Sequence, residues 1–170
     1  RLHRGTVDDD GIDAAFGGLR IVAEEFGGAD VFADLEPQLL GAGLAAIGAF
    51  AARRYADAPA IVEGGGRLSY RMLWSRAERL ATELAAAGAI RAGERVGLLA
   101  RNDSGSVIAL LALARLGARI CLVDPHGRAD TLHALSHDQP MGCWIDSGES
   151  ALDQLGTVIE LGEGVRFVRL

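Results

Sequence analysis

The chain has 170 residues, 49% of them hydrophobic and 24% charged, which calls for one packed domain with at most a short appendage. Its net charge of -6 excludes a nucleic-acid partner, because phosphate binding needs clustered cations. All seventeen basic residues are Arg, so no catalytic lysine is available, and the abundance of Ala and Gly points to a G+C-rich, bacterial gene.

Residues 1–36 form a poorly patterned extension. Gly pairs interrupt its periodicity, although Leu19 to Phe26 could form a short helix. Asp8, Asp9 and Asp10 suggest a calcium loop, but the EF-hand spacing is missing, so this stretch reads as a solvated tail. No secretory leader is recognisable, and a cytoplasmic location is expected.

A helix is expected from Pro37 to Tyr55, with Pro37 in its first turn. Its uncharged run, Leu39 to Ala52, falls short of the about 20 residues that span a bilayer. The run therefore reads as buried, or in weak contact with a membrane surface. Ala60–Glu63 and Arg67–Ser69 form a hairpin around three glycines. Ser69 caps a second helix, whose buried face carries Leu73, Ala77, Leu80 and Leu84. Arg71, Glu78, Arg79 and Glu83 point to water, and Gly88 closes the last turn.

Strands and helices then alternate. Arg95–Ala100 is a strand, and Asn102 to Ser104 offers caps for a helix ending before Gly117. Arg119–Val123 is a strand, Ala129–Asp138 a helix and Gly142–Asp146 a strand, followed by short strands at Thr157–Leu161 and Val165–Leu170. This order predicts an α/β fold: a mostly parallel sheet with helices on both faces and an antiparallel hairpin.

Candidate chemistry is sparse. Gly41 to Ala46 fits G-x-G-x-x-A, but the expected preceding strand is replaced by helix-like sequence, so small residues on a packed helix is the better reading. His133 and His137 share a helix face near Asp130 and His126, yet no further cluster completes a metal site. Ser104 and Ser106 flank Gly105 without the G-x-S-x-G pattern, and read as a strand-to-helix turn. Cys121 and Cys143 lie in strands without metal-type spacing, so both are expected as buried free thiols in a reducing compartment. No catalytic, cofactor-binding or metal-binding residue is assigned.

Residues 48 to 146 resemble the N-terminal part of adenylate-forming enzymes: acyl-CoA synthetases, fatty acyl-AMP ligases and peptide-synthetase adenylation domains. Leu68, Ser69, Tyr70 and Leu73 match the first core motif, and Gly93, Arg95, Val96 and Asn102 the segment after it. In that segment Glu94 stands where Asp is usual. Leu116, Gly117, Ala118, Val123 and Pro125 match the second motif. The fatty-acyl branch is the most similar.

The resemblance implies an N-terminal adenylation-type subdomain over residues 37–170, incomplete relative to the family. It also implies a parent enzyme that uses ATP, magnesium and CoA or a carrier protein. The matched residues are read as structural, with Tyr70 packing the hairpin on the sheet. The family's phosphate loop and catalytic lysines have no counterpart here. This chain is thus expected to hold no cofactor, to pack against the remaining domains of its parent, and to be inactive alone. In isolation it is expected to self-associate through the helix at Val107–Leu116 and the strands after Thr157. The alternative is a stand-alone, non-catalytic α/β module that binds a partner or self-associates.

Overall fold

A computed structural model describes residues 43–88, 90–126, 132, 134, 135, 141–146 and 158–169. The Asp8–Asp10 run, residues 37–42 and most of the Ala129–Asp138 helix lie outside the described residues.

Helix α1 spans Leu44–Arg54 and is opened by Gly43 in extended conformation. The continuous helix expected from Pro37 to Tyr55 is therefore broken at Gly43. Glycine is tolerated at an N-cap and costly inside a helix, which favours the break there. Nor is α1 buried as expected: none of its residues is fully covered, and Leu44 and Ile47 are 40% and 41% exposed. The reason is its position on the outer side of two other helices, α2 and α3, described next.

Strands β1 (Pro59–Glu63) and β2 (Gly66–Ser69) pair antiparallel. Gly64 and Gly65 join them at φ values of 55° and 81°, the left-handed geometry that a two-residue hairpin turn requires. Helix α2 (Tyr70–Ala86) follows at once. The Ser69 hydroxyl accepts from the Met72 amide at 3.3 Å. The Tyr70 and Arg71 amides donate to the carbonyls of Ala58 and Ala56. The first turn of α2 thus spends its free donors on the connection between α1 and β1. Leu73, Ala77, Leu80 and Leu84 are buried as their spacing predicts. Glu83 departs from that reading: its carboxylate accepts from the Gly162 amide at 2.8 Å and ties α2 to a distant turn.

The main sheet comprises β3 (Arg95–Leu99), β4 (Arg119–Val123), β5 (Cys143–Asp146), β6 (Val158–Glu160) and β7 (Arg166–Arg169), in the order β4-β3-β5-β7-β6. β3 pairs parallel with β4 and β5, while β7 runs antiparallel to both β5 and β6. Four strands therefore share one direction and only β7 opposes them, in keeping with the mostly parallel sheet expected.

Helix α3 (Ser104–Arg115) connects β3 to β4. On one face of the sheet, Val96, Leu98, Cys143, Ile145 and Phe167 pack against α2 and α3. On the other, Leu99, Trp144 and Val168 meet Met141 and Leu132, the latter in the helical stretch that includes residues 134 and 135. Side chains alternating across each strand build both layers from one sheet.

The helix at Val107–Leu116 was expected to be an exposed, sticky element, and it is not. Ile108, Ala109, Leu111, Ala112 and Leu113 are buried, because α3 lies between the sheet, α2 and α1. Exposure falls instead on the outer strands, with Leu122 of β4 60% and Ile159 of β6 46% exposed.

Candidate functional site at the carboxyl ends of the strands

β3 lies between β4 and β5: the chain passes from β3 to β4 on one side and then takes up β5 on the other, so the strand order reverses at β3. In open α/β sheets, the crevice beyond the carboxyl ends at such a reversal is where ligands bind. Arg101 to Asp103 follow β3, Asp124 to His126 follow β4, and Asp146 ends β5. Because β7 is reversed, its first residue, Arg166, lies in register with Asp146.

Asp146 is the centre of this corner. Its side chain has no exposure, while those of Arg101 and Arg166 keep 22% and 15%. The Arg101 Nε donates to Asp146 Oδ1 at 3.2 Å, and an Arg166 nitrogen lies 3.6 Å from Oδ2. Oδ2 itself has no hydrogen-bond partner among the described residues. A carboxylate buried this way is tolerated only beside cations. Asp146 therefore ties the ends of β3, β5 and β7 together.

The start of α3 completes the corner. The buried Ser106 hydroxyl accepts from the Arg101 amide at 2.8 Å, and its own amide donates to Asp103 Oδ1 at 2.7 Å. The Ser104 amide donates to Glu63 Oε2 of the hairpin at 3.0 Å. A helix N-terminus with free amides is an anion site. Here two carboxylates of the chain already occupy those donors, so the residues present do not fit a triphosphate. Ser104 and Ser106 form the strand-to-helix turn read from the sequence, and Ser106 serves as a buried acceptor rather than a nucleophile.

The other signalled residues disperse. The His126 amide donates to Asp124 Oδ1 at 2.9 Å in a tight turn after β4. His133, His137 and Asp130 lie outside the described residues, as does Gly41 of the glycine fingerprint. Among the described residues, no group of three His, Cys, Asp or Glu is arranged to hold a metal. Both cysteines are free; Cys143 is buried and Cys121 only partly so. Cys121 sits opposite Gly97 and Cys143 opposite Val96, on different faces of the sheet, which separates the two thiols. Burial pushes the Cys143 thiol up to about 12, with Glu94 adding to the shift and Arg169 opposing it.

Several of the motif residues take structural positions. Leu68, Leu73 and Val96 are core, and Ser69 is a helix cap. Gly117 takes φ 71° after α3. Tyr70 was expected to wedge the hairpin on the sheet. Its ring instead meets Tyr55 at 5.8 Å, bracing the end of α1, and burial followed by the nearby Tyr55 raises its hydroxyl pKa. The Asp146 corner was missed from sequence. Its members are separated by 45 and 20 residues, and only the strand register brings them together.

A family model described as AMP-binding enzyme matches residues 49–162. The 4-chlorobenzoate–CoA ligase of Arthrobacter sp is 40% identical over 86 residues, covering 49% of this chain and 16% of that protein. The medium/long-chain-fatty-acid–CoA ligase FadD6 of Mycobacterium tuberculosis is 36% identical over 85 residues, covering 49% of this chain and 14% of that one. Among solved structures, the N-terminal subdomain of NpsA from Klebsiella oxytoca, in complex with 3-hydroxyanthranilyl-AMSN, superposes with a TM-score of 0.59. It is 19% identical, with 62% of this chain and 27% of that one covered, and shows likeness of fold. The chain thus spans a small share of the length of the curated relatives it matches.

Proposed function

The chain belongs to the AMP-binding enzyme family, and from that premise we propose that it is the N-terminal part of an enzyme that activates a carboxylic acid with ATP. The acid would become an acyl-adenylate and then a thioester on CoA or a carrier protein. The observation that carries this reading is the extent of the match. It runs from inside α1 to the turn before β7, and so takes in the hairpin, both interior helices and four of the five strands of the main sheet.

The contribution of this chain is scaffold. Asp146, Arg101 and Arg166 fix the ends of three strands, and α2 and α3 hold the hairpin against them. Groups for the phosphates and magnesium would come from elsewhere in the longer protein. The chain has no lysine, and the amides at the start of α3 are taken by Asp103 and Glu63. Alone, it is proposed to be inactive and to sit in the cytoplasm. Among the described residues no helix is long and apolar enough to cross a membrane.

The acid is proposed to be a fatty acid, supported by the identity to the fatty-acid–CoA ligase. Exchange of pyrophosphate into ATP by the longer protein, with medium- and long-chain fatty acids beside substituted benzoates, tests this. Exchange dependent on fatty acids supports the reading. Exchange with benzoates alone keeps the reaction and replaces the substrate class. No acid-dependent exchange overturns both.

Self-association of the isolated chain is proposed to run through the outer strands. Unpaired edges recruit further strands, and Leu122 and Ile159 lie there exposed.

A further inference from the structure

The two outer strands of the main sheet are not equivalent. β6 has three residues and carries Glu160. β4 has five, and from Ile120 to Val123 none is charged and none is fully buried, whereas β3 is buried from Val96 onward and β5 throughout. Leu122 is 60% exposed. Outer strands that stay unpaired normally carry a charge, a proline or a bulge. Between Arg119 and Asp124, β4 has none of these.

The hydrogen bonds of β4 fix which of its groups face outward. The Arg119 amide donates to the Glu94 carbonyl at 2.8 Å, and the Val123 carbonyl accepts from the Ala100 amide at 3.1 Å, both toward β3. The amide and carbonyl of one strand residue share a side, and that side alternates along the strand. The backbone groups of Ile120 and Leu122 therefore point away from β3. Among the described residues no strand pairs with that edge.

We propose that this edge pairs antiparallel with the same edge of a second copy, about a two-fold axis through Cys121. The inference rests on the self-association proposed above and names its surface. A two-fold axis perpendicular to a continuous sheet must pass through a residue position, because facing residues share a face and faces alternate along the strand. With the axis at Cys121, Ile120 of each copy faces Leu122 of the other. These residues exchange their outward amides and carbonyls, and their apolar side chains meet. An axis at Ile120 would set Leu122 against Ala118, whose amide already donates to the Leu113 carbonyl at 3.1 Å. An axis at Leu122 would set Ile120 against the charge of Asp124. Cys121 thus faces Cys121 of the second copy as a non-hydrogen-bonded pair, with Cα atoms about 4.5 Å apart. A ladder this short buries less than a standard interface, so the dimer is weak and depends on concentration.

Sedimentation velocity of the 170-residue chain over a range of concentrations, with crosslinking by a short bis-maleimide mapped by peptide mass, tests this. A dimer crosslinked through Cys121 is expected, since Cys143 is buried. Leu122→Pro removes an amide that faces away from β3, and should weaken the dimer about tenfold. Leu122→Lys, at an exposed position, should act in the same direction with the melting temperature unchanged. Ile159→Lys on β6 should leave the dimer intact. A monomer at high micromolar concentration overturns both this proposal and the self-association it rests on. A dimer broken by Ile159→Lys and spared by Leu122→Lys keeps self-association and overturns the choice of edge. A dimer broken by Leu122→Lys in which Cys121 is not crosslinked overturns the register.

Discussion

Gly97 of β3 lies beneath the indole of Trp144 on β5, its register partner. A Cβ on Gly97 would stand 2.8 Å from Trp144 Cδ2 and closer still to Cε3 and Cζ3. The largest fully buried side chain thus rests on the one glycine in the described strands of the main sheet. Gly97→Ala is expected to destabilise the fold by about 1–3 kcal/mol through overpacking. In Gly97→Ala/Trp144→Leu the Ala should cost much less, because the clash is gone. Urea denaturation of the four members of the cycle checks this. Additive effects would show that the two residues do not meet.

Asp146 is predicted to be the most sensitive charged position. Asp146→Ala leaves Arg101 and Arg166 facing one another without their shared anion, and is expected to cost about 3–5 kcal/mol. The measure is the urea midpoint at constant slope. A loss below about 1 kcal/mol would mean that the carboxylate does not join the three strands.

Much of this architecture is legible in the sequence. The period of Leu73, Ala77, Leu80 and Leu84, the Ser69 cap and the Gly64–Gly65 turn are local signals, and each appears where expected. The reversed direction of β7 and the Asp146 corner are not local. They follow from register between segments far apart in the chain, which periodicity does not encode. The helix α1 was misread for a related reason. Its apolar composition predicts burial, but composition does not say which layer a helix joins, and α1 lies outermost.

Glu163 sits in the turn between β6 and β7 at φ 63°, the left-handed region. Its carboxylate pairs with Arg79 and, at 3.4 Å, with Arg76 of α2. Glu163→Ala loses both partners and keeps the backbone strain, whereas Glu163→Gly loses the partners and relieves it. The Gly variant is expected to be more stable than the Ala variant by about 1 kcal/mol. Thermal melts of the pair decide this; equal stability would mean that the turn carries no such strain.

Cys143 sets a pH dependence. Its folded pKa of about 12 lies above the 9.0 of an ordinary thiol, so the unfolded chain releases the thiol proton first. The stability this provides is complete below about pH 9 and is lost as pH rises toward 12. Cys143→Ala should flatten the decline in stability over that window. A thiol reagent at neutral pH should modify Cys121 first and reach Cys143 only on unfolding. Equal rates at the two cysteines would contradict the buried placement of Cys143.

The central proposal is that this chain is the scaffolding N-terminal part of an acid-activating enzyme whose groups for stabilising charge in adenylate formation come from the rest of the longer protein. The most direct measurement is ATP–pyrophosphate exchange by the purified 170-residue chain beside the longer protein, with fatty acids as substrates. The account predicts background exchange for the chain alone and acid-dependent exchange for the longer protein. Acid-dependent exchange by the 170 residues alone would contradict it.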